Sequence, residues 1–169
     1  FTVSIANGCI LGTDTAGSAG VYAWTAGGGL NVALSNLEIE DWDEAIVADG
    51  PVAIVANNNA ITSNLTAGFD NLTPFAAQNA EFNWWGSATG PSGVGGGSGD
   101  AVLGTNVDYY PWLGTGTDLN TGCGFTPAAL SVNTVTPVPP STCISTVNPC
   151  VPVPVNIARA DALPMRGFS

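Results

Sequence analysis

The sequence predicts an all-β fold: a parallel β-helix of about four rungs followed by an extended, Pro-rich C-terminal tail. Three observations carry that expectation. First, an Asn followed three residues later by an apolar residue recurs as Asn7/Ile10, Asn36/Ile39, Asn58/Ile61 and Asn79/Phe82, with the Asn positions 29, 22 and 21 residues apart. A period near 22 suits a coil of three short strands. Second, each Asn follows a short apolar alternation: Val3/Ile5, Val32/Leu34, Val52/Ile54 and Phe75/Ala77. Third, eight of the twelve prolines lie from Pro127 onward, where they block both helix and central strand.

In each rung a strand enters, an Asn turns the chain, and a second strand leaves with an apolar side chain inside. Asn tolerates the left-handed backbone such a bend needs. Its amide can also bond to a stacked neighbour or to turn backbone. Rungs pair with those above and below at about 4.8 Å. A leucine-rich repeat is disfavoured because its Leu ladder is missing, and a β-sandwich is the main rival. Residues 92–99, SGVGGGSG, read as a flexible loop. Aromatics return over 100–113, so the chain divides into a helix over 1–113 and a Thr/Pro-rich tail over 114–169.

Composition excludes several chemistries. Of 169 residues only 9% are charged, yet apolar residues make up 45%, enough to bury a core. There is no Lys and no His, and two cations, Arg159 and Arg166, face 13 carboxylates for a net charge of −11. A nucleic-acid binder needs a basic face, which 1–158 lacks. His-based triads, His-ligated zinc, Schiff bases and P-loops are out. No apolar run approaches the ~20 residues of a membrane span. No cofactor is expected, apart from Ca²⁺ at the acidic cluster of Glu38, Glu40, Asp41 and Asp43.

The chain opens at Phe1 without an initiator Met, as a processed chain or a piece of a longer one does. Cys9, Cys123, Cys143 and Cys150 contain no CxxC pair, and no His is present to complete a zinc site, so metal binding by these thiols is not expected. Their even number in an acidic, Lys-free chain fits an oxidising, extracellular setting. Cys143 with Cys150 closes a short loop and leaves Cys9 with Cys123 to tie the tail to the body. Three connectivities are possible.

Asn83-Trp84-Trp85-Gly86, Gly90-Pro91, Gly99-Asp100-Ala101-Val102 and Val107-Asp108-Tyr109-Tyr110-Pro111-Trp112-Leu113 follow one another. This pattern resembles the C-terminal closure of right-handed parallel β-helix proteins secreted by bacteria, over about 53–113. The resemblance implies that fold and hand, and an extracellular, surface-associated setting. It implies no single activity, because the fold carries lyases, hydrolases, adhesins and passive stalks. Trp84, Trp85, Tyr109, Tyr110 and Trp112 are then candidates to cover the exposed end of the helix. The alternative is an aromatic platform for sugar rings.

The one acidic cluster, Glu38, Glu40, Asp41, Asp43 and Glu44, places Ile39 inward with Glu38 and Glu40 outward, and Asp41 to Glu44 at the next corner. It reads either as a Ca²⁺ site (Glu38, Glu40, Asp41, Asp43) or as a solvated corner, with no EF-hand or RTX spacing. A carboxylate pair there has the reach for glycoside hydrolysis. Polysaccharide lyases of this fold typically use a Lys or Arg base, which 1–158 lacks. Asn64-Leu65-Thr66 and Asn71-Leu72-Thr73 are N-glycosylation sequons in an expected excursion between the third and fourth rungs. Val132–Pro149 mixes Thr, Ser and Pro like an O-glycosylated stalk.

In the tail, Val151, Val153, Val155 and Ile157 alternate with Pro152, Pro154, Asn156 and Ala158. Such a strand pairs along one edge only. The stretch VNIARADALPMRGFS, residues 155–169, also resembles the opening strand of Ig-like or cohesin-like bacterial surface modules. The first strand, Phe1–Ile5, begins without a visible cap. These features together predict a non-enzymatic extracellular subunit that polymerises head to tail into a filament through its tail strand. Its partner is another copy of itself, with glycans as further partners. A carbohydrate-binding module or a glycoside hydrolase are the alternatives.

Overall fold

A computed structural model describes residues 1–73, 76–128, 131–133 and 156–158. The chain falls into two compact units, Phe1–Pro127 and Ala128–Ser169. No helix occurs among the described residues.

The first unit is a parallel β-solenoid of about four turns. One sheet takes β1 (Thr2–Leu11), β3 (Leu30–Glu40), β5 (Val52–Asn57), β8 (Gln78–Asn79) and β11 (Val107–Asp108) in that order, with β6 (Ala60–Thr62) also on β3. The other takes β2 (Ala19–Trp24), β4 (Glu44–Asp49), β7 (Ala67–Asn71), β10 (Gly99–Gly104) and β9 (Pro91–Gly93). Every pairing between these strands is parallel. The register stacks like on like. Val3 sits over Val32 and Ile54, Ile5 over Leu34 and Ala56, and Ile10 over Ile39 and Ile61. On the other wall Val21, Ile46, Phe69 and Val102 form one column. These columns are the core, and Leu34, Ile39, Ile46, Ile54, Ile61 and Phe69 are at most 1% exposed. Burying each such side chain contributes on the order of 2 kcal/mol.

The first bend of each coil lies in left-handed backbone, at Asn7, Asn36, Asn58 and Phe82, with φ of 58°, 56°, 58° and 57°. Three of these are the repeat's asparagines. The fourth is not: Asn79 pairs with Val55, three residues before the bend. The spacing is therefore 29, 22 and 24. The register is fixed by backbone bonds, Asn58 N–H to Phe82 O at 3.1 Å and Phe82 N–H to Pro111 O at 2.6 Å.

The internal amide ladder also sits one residue beyond the bends. Asn59 Oδ1 accepts Leu37 N–H at 3.0 Å, and Asn83 Oδ1 accepts both N–H and Nδ2–H of Asn59 at 2.9 and 3.0 Å. Asn83 Nδ2 donates to Ala56 O and Ala80 O. Both side chains are fully buried, so every donor they satisfy would otherwise be an orphan. Gln78 does similar work. Its Oε1 accepts Ile54 N–H at 2.7 Å and its Nε2 donates to Val52 O at 2.9 Å, giving β5 the partner that the short β8 lacks.

The Gly-rich stretch is folded against backbone rather than free. A Cβ on Gly97 would run into Gly90 O and Thr89 O, and one on Gly99 into Trp85 O. Its glycines allow close approach. The sequon residues lie in regular coil, with Asn71 ending β7 and Asn64 just after β6, and not in an excursion.

The second unit contains one described element, an antiparallel pair of β12 (Ser131–Asn133) and β13 (Asn156–Ala158), with Val132 opposite Ile157. Ile157 of the expected assembly strand is thus laddered within its own unit. Val151, Val153 and Val155 lie outside the described residues, as do Cys143 and Cys150.

Candidate functional site

The two ends of the solenoid differ, and the first coil is the less covered. β1 and β2 are terminal in their sheets. Ile5 points inward in the column of Leu34 and Ala56, yet it is 37% exposed where Leu34 is 1% and Ala56 0%. Phe1, Tyr22 and Trp24 are exposed nearby. Phe1, Val3, Trp24, Thr25, Gly29 and Leu30 line an open depression of about 510 Å³. The Phe1 ammonium donates to Gly29 O at 3.1 Å across its rim.

The last coil is closed. Residues 106–113 run beneath the fourth bend: Gln78 N–H bonds to Asn106 O, Ala80 N–H to Asp108 O, and Leu113 N–H to Asn83 O. A cis Tyr110-Pro111 bond turns the chain. Trp112 stacks with Tyr109 at 6.4 Å and meets Tyr110 edge-on at 5.5 Å. Its face fills the space over Gly90, and Nε1 donates to Ala88 O at 3.3 Å. Trp85 is inside the core at 0% exposure and presents no ring to a ligand, while Trp84 is half-buried. A second depression of about 450 Å³ lies between Gln78, Asn106, Asp108, Tyr109 and Tyr110.

Residues 114–127, expected in the tail, instead return along the solenoid as a strap, so the unit boundary falls after Pro127 and not after Leu113. The reason is anchorage. Gly116 packs on the Trp84 indole, where no side chain would fit. Phe125, 2% exposed, exchanges two bonds with Asn36: its N–H to Asn36 O at 3.1 Å, and Asn36 Nδ2 to its carbonyl at 3.2 Å. Cys123 is joined to Cys9 by a disulfide across 114 residues, with Cα atoms 5.3 Å apart. The strap therefore links the fourth coil to the first.

The acidic cluster is dispersed. Ile39 is buried, with Glu38 and Glu40 on the outer side. Glu40 Oε1 accepts from Thr62 at 2.9 Å, while Glu38 Oε2 lies 2.7 Å from Cys9 Sγ. Asp43 accepts from Gly17 N–H and Thr66 Oγ1, both at 2.5 Å, and the Thr66 hydroxyl and Gly17 amide hold its carboxyl below the usual range. Asp41 occupies the second bend at φ 60°. Among the described residues, the single group of potential metal-binding side chains is Cys9, Glu38 and Cys123; Glu40, Asp41 and Asp43 do not converge on it. Two carboxyls titrate upward. Glu44 is raised by burial and by its bond to Asp70, and Asp100 by burial, against the bonds it accepts from Asn64.

Both sequon amides are engaged inward. Asn64 Nδ2 donates to Asp100 Oδ2 at 2.7 Å and to Ile39 O, and Asn71 Nδ2 donates to Thr105 O at 2.6 Å. A glycan on either nitrogen would displace those bonds.

The Gln78 bridge and the strap were not readable as motifs, whereas the uncapped first strand at Phe1–Ile5 was. The Cys9–Glu38 neighbourhood becomes visible only when rungs 29 residues apart are aligned. No family model matches the chain, and no significantly similar curated protein or solved structure was found.

Proposed function

We propose that this chain is a non-enzymatic structural module of an extracellular bacterial surface assembly, joined head to tail through its first coil. The observation that supports this reading most is the inward-facing Ile5 at 37% exposure, on a coil whose strands have unpaired edges among the described residues. Such an edge is a template for another strand. A second copy is the occupant we favour. The tail segment 151–157 is its contacting element, since β13, which includes Ile157, keeps one unpaired edge among the described residues. Head-to-tail addition does not close on itself and yields a filament. The chemistry available is consistent with a passive role: there is no Lys or His, and the carboxyls of Glu40 and Asp43 are engaged in structural bonds.

Negative-stain imaging and sedimentation of the full chain test the proposal. Regular fibres that shorten to monomers in Ile5→Lys and in Ile157→Pro support it. A monomer at high concentration, or fibres indifferent to both substitutions, overturns it.

A second reading is favoured by one observation. The depression beside Tyr109 and the exposed Tyr110 has aromatic rings on which a sugar stacks and the Asp108 carboxylate at its edge. Binding on a glycan array that is lost in Tyr110→Ala would establish it. A blank array would remove it.

A further inference from the structure

We propose that Cys9, Cys123 and Glu38 form a redox-gated site for a thiophilic divalent cation such as Zn²⁺, which clamps the strap to the first coil when the disulfide is open. The two sulfurs and a Glu38 oxygen all lie within 4.8 Å of one another. Three separate parts of the fold bring them there. The β1–β3 ladder sets Cys9 directly beside Glu38, and the strap delivers Cys123 from beyond the last coil. Gly124 N–H points at the same spot, 3.2 Å from Cys9 Sγ and 3.4 Å from Glu38 Oε2. Cys9 and Glu38 are half-buried and Cys123 is exposed, so the cluster is sheltered but has an entry path.

The donor chemistry selects the metal. Two thiolates and one carboxylate suit tetrahedral Zn²⁺ with water in the fourth position, and disfavour Ca²⁺, which wants six or more oxygens. With the disulfide intact the sulfurs are bonded to each other and offer no thiolate. A dithiol reductant opens it: the S–S bond takes two electrons and two protons, and the reductant leaves as its cyclic disulfide. The two thiols then face a carboxylate in a chain whose residues 1–158 contain no Lys, Arg or His. Deprotonating them there needs a counter-charge. A dication supplies it, and the two protons go to solvent. The outcome is a strap held covalently under oxidising conditions and by a metal under reducing ones.

The test uses the full chain carrying Cys143→Ser and Cys150→Ser, so that only two thiols remain. It is reduced with a dithiol, which is removed under argon, and titrated with Co²⁺. The expected result is one Co²⁺ per chain with an intense sulfur-to-metal band in the near ultraviolet and tetrahedral d–d bands, displaced by Zn²⁺. Zn²⁺ should raise the melting temperature of the reduced chain and leave that of the oxidised chain unchanged. Glu38→Gln should keep the sulfur band and weaken binding about tenfold or more. Cys123→Ser should lose the site. No sulfur band in the reduced chain, the same band in the oxidised chain, or unchanged affinity in Glu38→Gln would overturn the proposal. Should Cys123→Ser fail to fold, the Glu38→Gln and oxidised arms still decide.

Discussion

The first and last coils are built from the same parallel ladder, yet they treat their ends differently. Below the last coil, 106–113 supply backbone partners, Trp112 closes over Gly90, and Trp85 fills the interior. Above the first coil nothing in the described chain covers Val3 and Ile5, whose column-mates lower down are buried. The disulfide-linked strap runs between the two but crosses the bend side, at Cys9 and Asn36, without roofing the core. A solenoid's stability is a sum over neighbouring coils, so a coil with a neighbour on one side only is held by a single interface. The same column position then carries different weight at each level.

The sharpest way to break this comparison is a pair of truncations. Trp85→Ala should cost about 4 kcal/mol, the usual range for emptying a fully packed aromatic site. Its buried indole N–H has no hydrogen-bond partner among the described residues, so the truncation breaks no bond and relieves an unsatisfied donor, which trims the cost. Ile5→Ala should cost the isolated chain less than about 1 kcal/mol, because its side chain is already partly in water. Urea unfolding at low protein concentration reads both. If Ile5→Ala proves as costly as Leu34→Ala, the first coil is roofed in solution and the contrast between the ends disappears.

A smaller effect tests how the fourth coil is held. Phe82 takes φ 57°, a conformation that suits its counterparts Asn36 and Asn58 and that strains a bulky side chain. It is 45% exposed, so little burial repays the strain. Phe82→Asn should therefore stabilise the chain by about 1 kcal/mol. No gain in urea midpoint would show that the aromatic ring contributes to the closed end and that the bend is not the weak point.

Phe82 also shows why part of the fold was legible and part was not. Asn7, Asn36 and Asn58 announce their bends because Asn is one of the few residues at ease in left-handed backbone. The fourth bend carries no such mark; the ladder to Asn58 and Pro111 imposes it, and Asn79 three residues earlier is a false match. The core columns were legible through β-branched alternation, which has a local cause. Gln78, Asn59 and Asn83 do their work chiefly through bonds to residues 22 to 27 positions away, so little local distinguishes them from surface amides. The strap is hidden for the same reason, apart from Cys123, which the expected Cys9–Cys123 pairing already tied to the body. A Thr- and Gly-rich stretch looks like tail until Phe125 is found beside Asn36. The acidic cluster misled in the opposite sense: adjacent in sequence, its carboxylates diverge because successive residues of a strand and its bend point different ways.

Acidification should separate the two ends, with the smallest effect of the three. Asp43 joins the first coil to the rest by accepting from Gly17 and Thr66, and its folded pKa is lowered. Its contribution is present above the ordinary carboxyl range of about 4 and is lost as pH falls through the depressed value. Asp100, beside the last coil, and Glu44 on β4 are raised, chiefly by burial. Their contribution runs the other way: fully present below the ordinary range, and lost as pH rises through the raised values. Lowering the pH from neutral to about 4 should thus protect amides around Asn64 and Asp100. Going lower should release those around Gly17. Hydrogen exchange by region measures both, corrected for the intrinsic pH dependence of exchange. Asp100→Asn should flatten the first change and leave the second. If both regions respond alike, or if Asp100→Asn leaves the profile near Asn64 unaltered, the ends are not electrostatically distinct, and their difference rests on backbone pairing and packing alone.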